Sequence, residues 1–308
     1  MFPFLFRRLL TTLLSLWLVV TLTFAIMKLI PGNPFLDPKV PPAVQESLQL
    51  LYGLEKPLLE QYFHYWQNVF KGNLGVSLYH QGRSVASIIS DSFAVSATVG
   101  LSALFFSLAL GIPLGLMAAI NARRPVGLFF SFLIAIGVGI PNFVLGGLLQ
   151  YFMAWRWGLL PAARWGGPAH MLLPALTLGC GGAAILARLV CGGTLEVFEQ
   201  PFIRTALAKG LRKGEILYRH ILPNALLPAL TTLGTLTAAL VMGSFAVEQI
   251  FALPGLGSFF VQSIYNRDYP VILGLTIFYA TLILGLNFLV DLAYGLLDPR
   301  IRLFHRQD

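Results

Sequence analysis

The sequence predicts an all-α integral membrane protein with about six transmembrane helices, and three observations support that fold class. Hydrophobic residues make up 56% of the 308 residues, charged residues make up 11%, and the mean hydropathy is +0.76. Soluble domains carry about 25% charged residues. Several apolar stretches also reach the roughly 20 residues that a helix needs to cross a hydrocarbon core. A lipid bilayer is therefore the predicted environment of most of the chain.

Six apolar stretches are long enough to span that core. The first follows two arginines, as the core of a secretory signal would, but it is too long and residues 27–31 do not resemble a cleavage site. We expect it to be a retained helix. The six stretches run over Leu9–Ile30, Phe93–Ile120, Val126–Trp155, Met171–Leu189, Leu226–Phe251 and Val271–Leu297.

Basic residues are concentrated in alternate connections between these stretches, which predicts that those connections face the cytoplasm. Both termini and the loop at 190–224 are then cytoplasmic, and a long segment at 31–92 is extracytoplasmic. The net charge of +8 reflects this topology, and nucleic acid is not an expected partner. The basic residues are Arg7, Arg8, Arg123, Arg124, Arg188, Arg204, Lys209, Arg212, Lys213, Arg219, Arg300, Arg302 and Arg306.

Cysteine, histidine and lysine patterns indicate no metal, redox or nucleotide site. Cys180 and Cys191 would lie about 16 Å apart along one helix, too far for a disulfide. The five histidines have no ligand-like spacing with cysteines or carboxylates. No lysine is followed by Ser or Thr, as a phosphate-binding loop requires. We expect no metal, no cofactor and no enzymatic activity, so any ATP hydrolysis would take place on a partner.

The extracytoplasmic segment at 31–92 contains one clear helical pattern. Six apolar side chains recur at helical spacing and predict an amphipathic helix with an aromatic face. That face either packs against the outer ends of the membrane helices or docks an extracytoplasmic partner. The six residues are Leu59, Tyr62, Phe63, Trp66, Val69 and Phe70.

The cytoplasmic loop at 190–224 is predicted to fold as two helices joined by a turn. The first helix is expected over Thr194–Lys209, interrupted at Pro201. Gly210 can supply the turn that ends it, and a second short helix is expected over Glu215–Ile221. Because a connection between membrane helices can be far shorter, a folded loop favours contact with another protein, and solvated filler is the alternative.

The same loop carries a recognisable motif. Residues 204–211 read Arg-Thr-Ala-x-Ala-Lys-Gly-Leu, and residues 220–225 read His-x-Leu-x-Asn-Ala. This pattern resembles the cytoplasmic signature of ABC importer permeases, and its specific form is similar to the oligopeptide, dipeptide and nickel permease family. Further similar motifs follow in order along nearly the whole chain: Pro31–Pro34, Tyr52–Leu58, Gly72–Ser77, Val247–Phe251 with Pro254–Gly257, Arg267–Pro270 and Leu297–Arg300. Local departures from the family pattern occur at Leu207, Cys191–Gly193 and Gln200–Pro201.

The resemblance implies a type I ABC importer permease fold and a set of partners. Such a permease pairs with a second permease subunit, receives cargo from an extracytoplasmic substrate-binding protein and is driven by two cytoplasmic ATPase subunits. A short cytoplasmic helix sits in a groove on one ATPase, so that closure of the ATPases switches the pore between inward-facing and outward-facing states. The residues to which the resemblance gives this coupling role are Arg204, Thr205, Ala206, Ala208, Lys209, Gly210, Leu211, His220 and Pro223.

Two acidic residues lie near the ends of the predicted membrane helices. Glu248 either caps or pairs locally at an outer helix end, or forms an outer gate with Pro254, Gly255 and Gly257. For Asp291, a structural role near the inner face of the membrane is favoured. Glycines and prolines also interrupt the apolar stretches at Gly111, Pro113, Gly115, Pro141, Gly179, Gly181 and Gly182, where they serve close packing or act as pore hinges.

The function that follows is import of oligopeptides or dipeptides across a bacterial inner (cytoplasmic) membrane. Nickel, or another small solute, is the alternative cargo. An ion-coupled secondary transporter would be expected to show internal repeats and a buried charged site, neither of which the sequence contains. An intramembrane hydrolase would need a nucleophile and a base at matched depth, and no such pair is found.

Overall fold

The structure, a computed structural model, describes residues 2–29, 46, 56–80 and 82–297, and the regular elements of this part of the chain are helices. They are α1 (Phe2–Leu29), α2 (Leu58–Phe70), α3 (Val85–Ile120), α4 (Pro125–Gly139), α5 (Asn142–Leu149), α6 (Pro168–Phe198), α7 (Pro201–Ala208), α8 (Lys213–Ile216), α9 (Leu222–Ala225), α10 (Leu227–Val241), α11 (Phe245–Ile250), α12 (Leu256–Tyr265) and α13 (Tyr269–Leu297). Wider π-helical turns continue α5 over Gln150–Arg156 and α8 over Leu217–Ile221.

The prediction of about six transmembrane helices is confirmed in the described part of the chain. Five helical segments are long and apolar enough to cross a membrane, and α4 with α5 makes a sixth if that bent pair is one span. The pair is bent by 105° where Pro141 interrupts the third apolar stretch, as the sequence predicts. Pro has no N–H to donate to the preceding turn, so the helix cannot continue straight through it. The five single spans are Phe6–Ile26, Val85–Ile120, Pro168–Phe198, Leu227–Ile250 and Tyr269–Val290.

Several helix boundaries differ from the sequence prediction, and two of the differences have a clear local cause. Helix α3 begins at Val85, eight residues before the predicted Phe93, because Ser84 caps it: the Ser84 hydroxyl accepts the N–H of Ser87 at 3.1 Å. The expected helix over Thr194–Lys209 is two helices, since α6 ends at Phe198 and α7 begins at Pro201. Pro201 disfavours helical geometry at the residue before it, and Gln200 is extended.

Several sequence features lie outside the described residues. These include the Pro31–Pro34 motif, most of Tyr52–Leu58, the end of Leu297–Arg300 and the side chain of Asp291. The described residues fall into two compact units, those within 1–96 and 254–288 and those within 97–253 and 289–297. A single permease domain over 1–308 stays a prediction.

In the first unit, the amphipathic helix α2 packs on membrane helices. Tyr65 is buried with Val20 of α1 and Leu273 of α13, and Trp66 and Val69 pack against the same cluster. The Tyr62 hydroxyl lies 2.7 Å from the Thr21 hydroxyl. The prediction of a single aromatic face is only partly right, because the other half of its residues is exposed to solvent or lipid. The exposed residues are Leu59, Phe63 and Phe70.

A second cluster of the first unit joins three helices. Val85, Ile88 and Ile89 of α3 pack with Leu256 of α12 and with Val271 and Leu275 of α13. The first backbone N–H of α12, on Leu256, donates to the Ser96 hydroxyl of α3 at 2.8 Å. This bond satisfies one of the N–H groups that a helix start leaves without an intrahelical acceptor.

In the second unit, α6 packs against α3 at glycine contacts. A side chain at Gly111 would come within 2.6 Å of the Ala183 carbonyl oxygen, and one at Gly115 within 2.5 Å of the Ala187 carbonyl oxygen. The Ser107 hydroxyl of α3 donates to the Gly179 carbonyl of α6 at 3.0 Å. Small residues let helix backbones approach closely in membranes. In this structure these glycines are therefore packing sites.

Candidate functional site

The predicted coupling motif lies in a compact element at residues 201–225, called here the loop element. Its first helix, α7, begins with Pro201, whose fixed φ suits a first helical position. It ends in a Schellman motif in which the Leu211 N–H donates to the Ala206 carbonyl at 3.3 Å and the Gly210 N–H donates to the Leu207 carbonyl at 3.0 Å. Gly210 has φ +78°, the left-handed conformation that this motif requires. The turn predicted at Gly210 is thus present.

The loop element has a hydrophobic core of its own. Ile203 and Ala206 of α7 are buried together with Ile216, Ile221 and Ala225, and Val197 at the end of α6 joins them. Leu211 and Leu217 pack against this cluster from its edge. Each end of the element is therefore fixed by apolar packing, which makes the whole element a folded unit rather than a solvated connection.

The opposite side of α7 is exposed and mixes cationic with apolar groups. Phe202 and Leu207 have 42% and 51% of their surface exposed, and Tyr218 in the following turn has 71%. Large exposed apolar side chains outside the membrane spans are typical of a protein contact. Five of the residues predicted for coupling share this exposure: Arg204, Thr205, Ala208, Lys209 and Gly210.

The remaining predicted coupling residues hold the element together. Ala206 is 5% exposed and Leu211 is half-buried in the cluster, so neither side chain lies on the exposed face of α7. The His220 carbonyl accepts the side-chain amide of Asn224 at 2.7 Å in the wide turn before α9. Pro223 occupies the first turn of α9. Sequence reasoning did not separate the exposed side of this segment from its packed side, and the coupling role of both stays a prediction.

The loop element is joined to membrane helix α6 at one glycine. A side chain at Gly193 would come within 2.7 Å of the Ala225 carbonyl oxygen and within 3.3 Å of the Ala225 Cα, whereas one at the adjacent Gly192 would meet nothing within 4 Å. Helix α9 therefore lies directly on the backbone of α6. The Cys191–Gly193 stretch, which the sequence marks only as a departure from the family pattern, contains this contact.

The predicted outer-gate residues belong to both compact units. Glu248 on α11 is 4% exposed, and its carbonyl accepts the Leu253 N–H at 2.8 Å. In the other unit, Pro254 is exposed, while Gly255 and Gly257 are buried at the start of α12. The structure does not test a gate role for these residues, which stays a prediction.

Sequence reasoning did not single out a buried carboxylate in the first unit. Asp268 is 1% exposed and accepts hydrogen bonds from the Ser77 hydroxyl, from the Leu78 N–H at 3.1 Å and from the Tyr79 N–H at 3.3 Å. We call these four residues the aspartate clasp. Its two sides are two family-like motifs, Gly72–Ser77 and Arg267–Pro270, and their co-occurrence was the signal available in the sequence.

No metal site is found in the described ranges, where no three His, Cys, Asp or Glu side chains converge. Comparison with known proteins identifies the family of this chain.

Residues 111–303 match the family described as binding-protein-dependent transport system inner membrane component, and residues 1–111 match its N-terminal counterpart. The chain belongs to this family. The resemblance drawn from the sequence motifs is thus confirmed, and the permease is a membrane-spanning subunit of an ABC importer.

Named relatives cover almost the whole permease. It is 43% identical over 290 residues to the dipeptide transport system permease protein DppB of Bacillus subtilis, which covers 94% of each chain. It is 39% identical to the oligopeptide transport system permease protein OppB of Haemophilus influenzae over 98% of this chain and 100% of that one. The Escherichia coli K12 OppB protein is 37% identical over the same shares.

Solved structures show that the permease shares the type I importer fold. It matches a crystal structure of an amino acid ABC transporter with a TM-score of 0.54 and 19% identity, over 68% of this chain and 94% of that one. An inward-facing structure of the MetNI methionine ABC transporter matches with a TM-score of 0.54 and 20% identity, over 69% and 95%. At this identity the comparison supports the fold alone.

Proposed function

We propose that this permease forms, with a second permease subunit, the path by which dipeptides or oligopeptides cross a bacterial inner membrane. Two cytoplasmic ATPase subunits drive the complex and an extracytoplasmic substrate-binding protein delivers the peptide. Both termini and the loop element face the cytoplasm. The permease itself carries no catalytic residue, and its part in the cycle is mechanical.

The observation that carries the coupling role is the two-sided build of α7. Its inner side is fixed by the core of the loop element, and its outer side presents Arg204, Lys209 and exposed apolar groups. A helix held in this way can dock in a groove of an ATPase without losing its own fold. Arg204 and Lys209 supply charge at the rim of that contact, and Phe202 and Leu207 supply its apolar centre.

The path of motion follows from the contact between Gly193 and Ala225. When the ATPases close, α7 moves with its groove, and the packed loop element moves with α7. Because α9 rests on the α6 backbone at Gly193, and α6 rests on α3 at Gly111 and Gly115, displacement reaches two membrane helices without an intervening flexible side chain. Interfaces packed in this way shift between discrete arrangements rather than deforming continuously.

The peptide cargo is supported by the relatives, whose names describe dipeptide and oligopeptide transport systems. Nickel stays the alternative named from the sequence, and the binding protein would select between such ligands. Glu248 with Pro254, Gly255 and Gly257 is proposed as the outer gate, through which the cargo enters when the binding protein docks.

The test is co-purification of the tagged permease from its native membrane, followed by identification of its partners and by ATP-driven uptake in proteoliposomes. We expect a second permease, two ATPases and uptake of labelled dipeptide or oligopeptide that requires the binding protein. Uptake of nickel and not of peptide would show that the cargo is nickel, while the proposal of an ATP-driven importer would stand. Transport by the chain alone along an ion gradient would overturn the proposal.

A further inference from the structure

A cavity in the second unit is lined by one charged side chain and otherwise by uncharged ones. It has a volume of about 370 Å³ and lies between α4 and α6. Such a volume falls in the range of roughly 300–1,000 Å³ that is typical of small-molecule sites. The lining residues are Ser131, Ile134, Ala135 and Val138 of α4, and Arg188 and Cys191 of α6.

Arg188 lies at the inner end of the fourth predicted span, one residue before its predicted end at Leu189, and its side chain is exposed. It is twenty residues after Pro168 and ten before Phe198, which places it about 30 Å and about 15 Å from the two helix ends. Long cationic side chains at the end of a span can keep their charged group at the membrane surface. Arg188 therefore stays charged beside the cavity that it lines.

No acidic side chain pairs with Arg188 among the described residues. Neither of the ion pairs Arg83–Asp91 and Arg219–Glu215 involves it, and its guanidinium has no hydrogen-bond acceptor in the described part of the chain. The remaining lining groups are a hydroxyl, a thiol and aliphatic side chains, none of them negatively charged. The charge of Arg188 is thus available to an anion that enters the cavity.

The chemistry of the cavity selects a carboxylate attached to an apolar body. A guanidinium binds a carboxylate through two parallel N–H donors, and Ser131 can add a third. The aliphatic wall formed by Ile134, Ala135 and Val138 suits side chains of varied shape. Under the peptide function proposed above, every cargo molecule carries one constant anion, its terminal carboxylate, next to side chains that vary.

We propose that Arg188 and the cavity between α4 and α6 form a transient subsite for the terminal carboxylate of peptide cargo. This inference rests on the proposed function. The cavity holds the terminal carboxylate of the peptide, but its lining has no carboxylate that could pair with the peptide's ammonium group. Binding is therefore weak. Weak binding is required where a transported molecule must also leave.

Cys191 is a native reporter of this subsite. It lies one helical turn from Arg188 and lines the same cavity, whereas Cys180, the other cysteine of the chain, does not line it. The test uses the complete importer in nanodiscs with the C180S permease, and modification of Cys191 is followed by mass spectrometry of its own peptide. The probes are an anionic and a cationic methanethiosulfonate of similar size.

We expect the anionic probe to react faster than the cationic one, and R188Q to reduce that ratio on the order of tenfold through loss of the nearby charge. A dipeptide with a free terminal carboxylate should slow the modification of Cys191, and the same dipeptide amidated at that end should not. R188K is the matched control: it keeps the charge preference but loses the two-donor geometry, so protection by the dipeptide should weaken.

Any one of the following results would overturn the subsite. Failure of both probes to reach Cys191 would mean that the partner subunit or lipid fills the cavity. Equal protection by free and amidated dipeptide would remove the role of the carboxylate. Protection by phosphatidylglycerol but not by dipeptide, compared with nanodiscs of phosphatidylcholine alone, would make it a lipid phosphate site. ATP-driven dipeptide uptake by the same preparation separates the two proposals: uptake without protection rejects the subsite alone, and absence of uptake rejects the peptide function.

Discussion

The aspartate clasp and the junction between α6 and α9 join distant parts of the chain by opposite means. In the clasp, Asp268 is buried and is held by three hydrogen-bond donors from residues 77–79. In the junction, Gly193 and Ala225 meet through backbone atoms with no space for a side chain. The clasp depends on a particular polar group, and the junction depends on the absence of one. Removing atoms should therefore break the first, and adding atoms should break the second.

The largest effect is expected from Asp268→Ala. The change leaves the Ser77 hydroxyl and two backbone N–H groups buried without their acceptor, and we expect a loss of about 3–5 kcal/mol in the free energy of unfolding. Asp268→Asn keeps an acceptor oxygen and should lose about half as much, because its amide cannot accept from all three donors. Denaturant unfolding of the purified permease measures both. If D268A is as stable as the native chain, the aspartate clasp does not stabilise the fold.

Gly193→Ala should follow, with a cost of about 1–3 kcal/mol from overpacking against the Ala225 backbone. Gly192→Ala is the matched control on the same helix, since its added methyl group meets nothing, and it should be neutral or stabilise α6 by up to about 1 kcal/mol. Thermal unfolding compares the two variants. If the junction transmits motion, G193A should also reduce peptide uptake per ATP hydrolysed, and G192A should not. If G193A and G192A have the same thermal stability and the same uptake per ATP hydrolysed, close packing at the junction is not required.

Gly210→Ala should cost roughly 1–2 kcal/mol locally, because an L side chain is strained at the φ of +78° that ends α7. The measurement is the amount of peptide transported per ATP hydrolysed, which should fall while membrane insertion stays unchanged. A bulkier residue at Gly210 should lower this ratio further. Gly214→Ala is the control, since Gly214 has open space and no left-handed backbone. If transport per ATP hydrolysed is unchanged in the Gly210 variants, the loop element is not the contact with the ATPase.

The smallest effect is expected from Arg219→Gln. Arg219 and Glu215 form an exposed ion pair at 2.8 Å on one helical face of the loop element, and exposed pairs contribute less than about 0.5–1 kcal/mol. The variant should unfold within experimental error of the native chain and transport normally. A marked loss of transport without loss of stability would move Arg219 from the surface of the loop element to its ATPase contact.

Much of the architecture is predictable from local sequence. Long apolar runs mark the membrane helices, Pro141 marks the bend in the third stretch, and Pro201 with Gly210 marks the limits of α7. These features depend on hydrophobicity and on backbone restrictions that act within a few residues. The early start of α3 was missed because its first two turns mix Val85, Ile88 and Ile89 with serines and an aspartate, and so do not form a continuous apolar stretch.

Features that depend on long-range contacts were not predictable in the same way. Asp268 and Ser77 are 191 residues apart, and nothing local shows that they meet. Ala206 and Ala208 look equivalent in the motif, yet only Ala206 is buried, because the core of the loop element decides which side of α7 is covered. The aromatic residues of α2 divide between a packed and an exposed side for the same reason.

Helices α1 and α6 differ in how much they need their neighbours. The span in α1 has a mean hydropathy of 2.2 and is 6% buried by protein, whereas the span in α6 has 1.6 and is 67% buried. A helix of the first kind is stable in lipid alone, and one of the second kind gains its stability from other helices. During biosynthesis α1 can leave the insertion machinery as soon as it is made. We expect α6 to be retained there until it can pack on α3, so that misassembly and degradation of newly made chains would begin at α6.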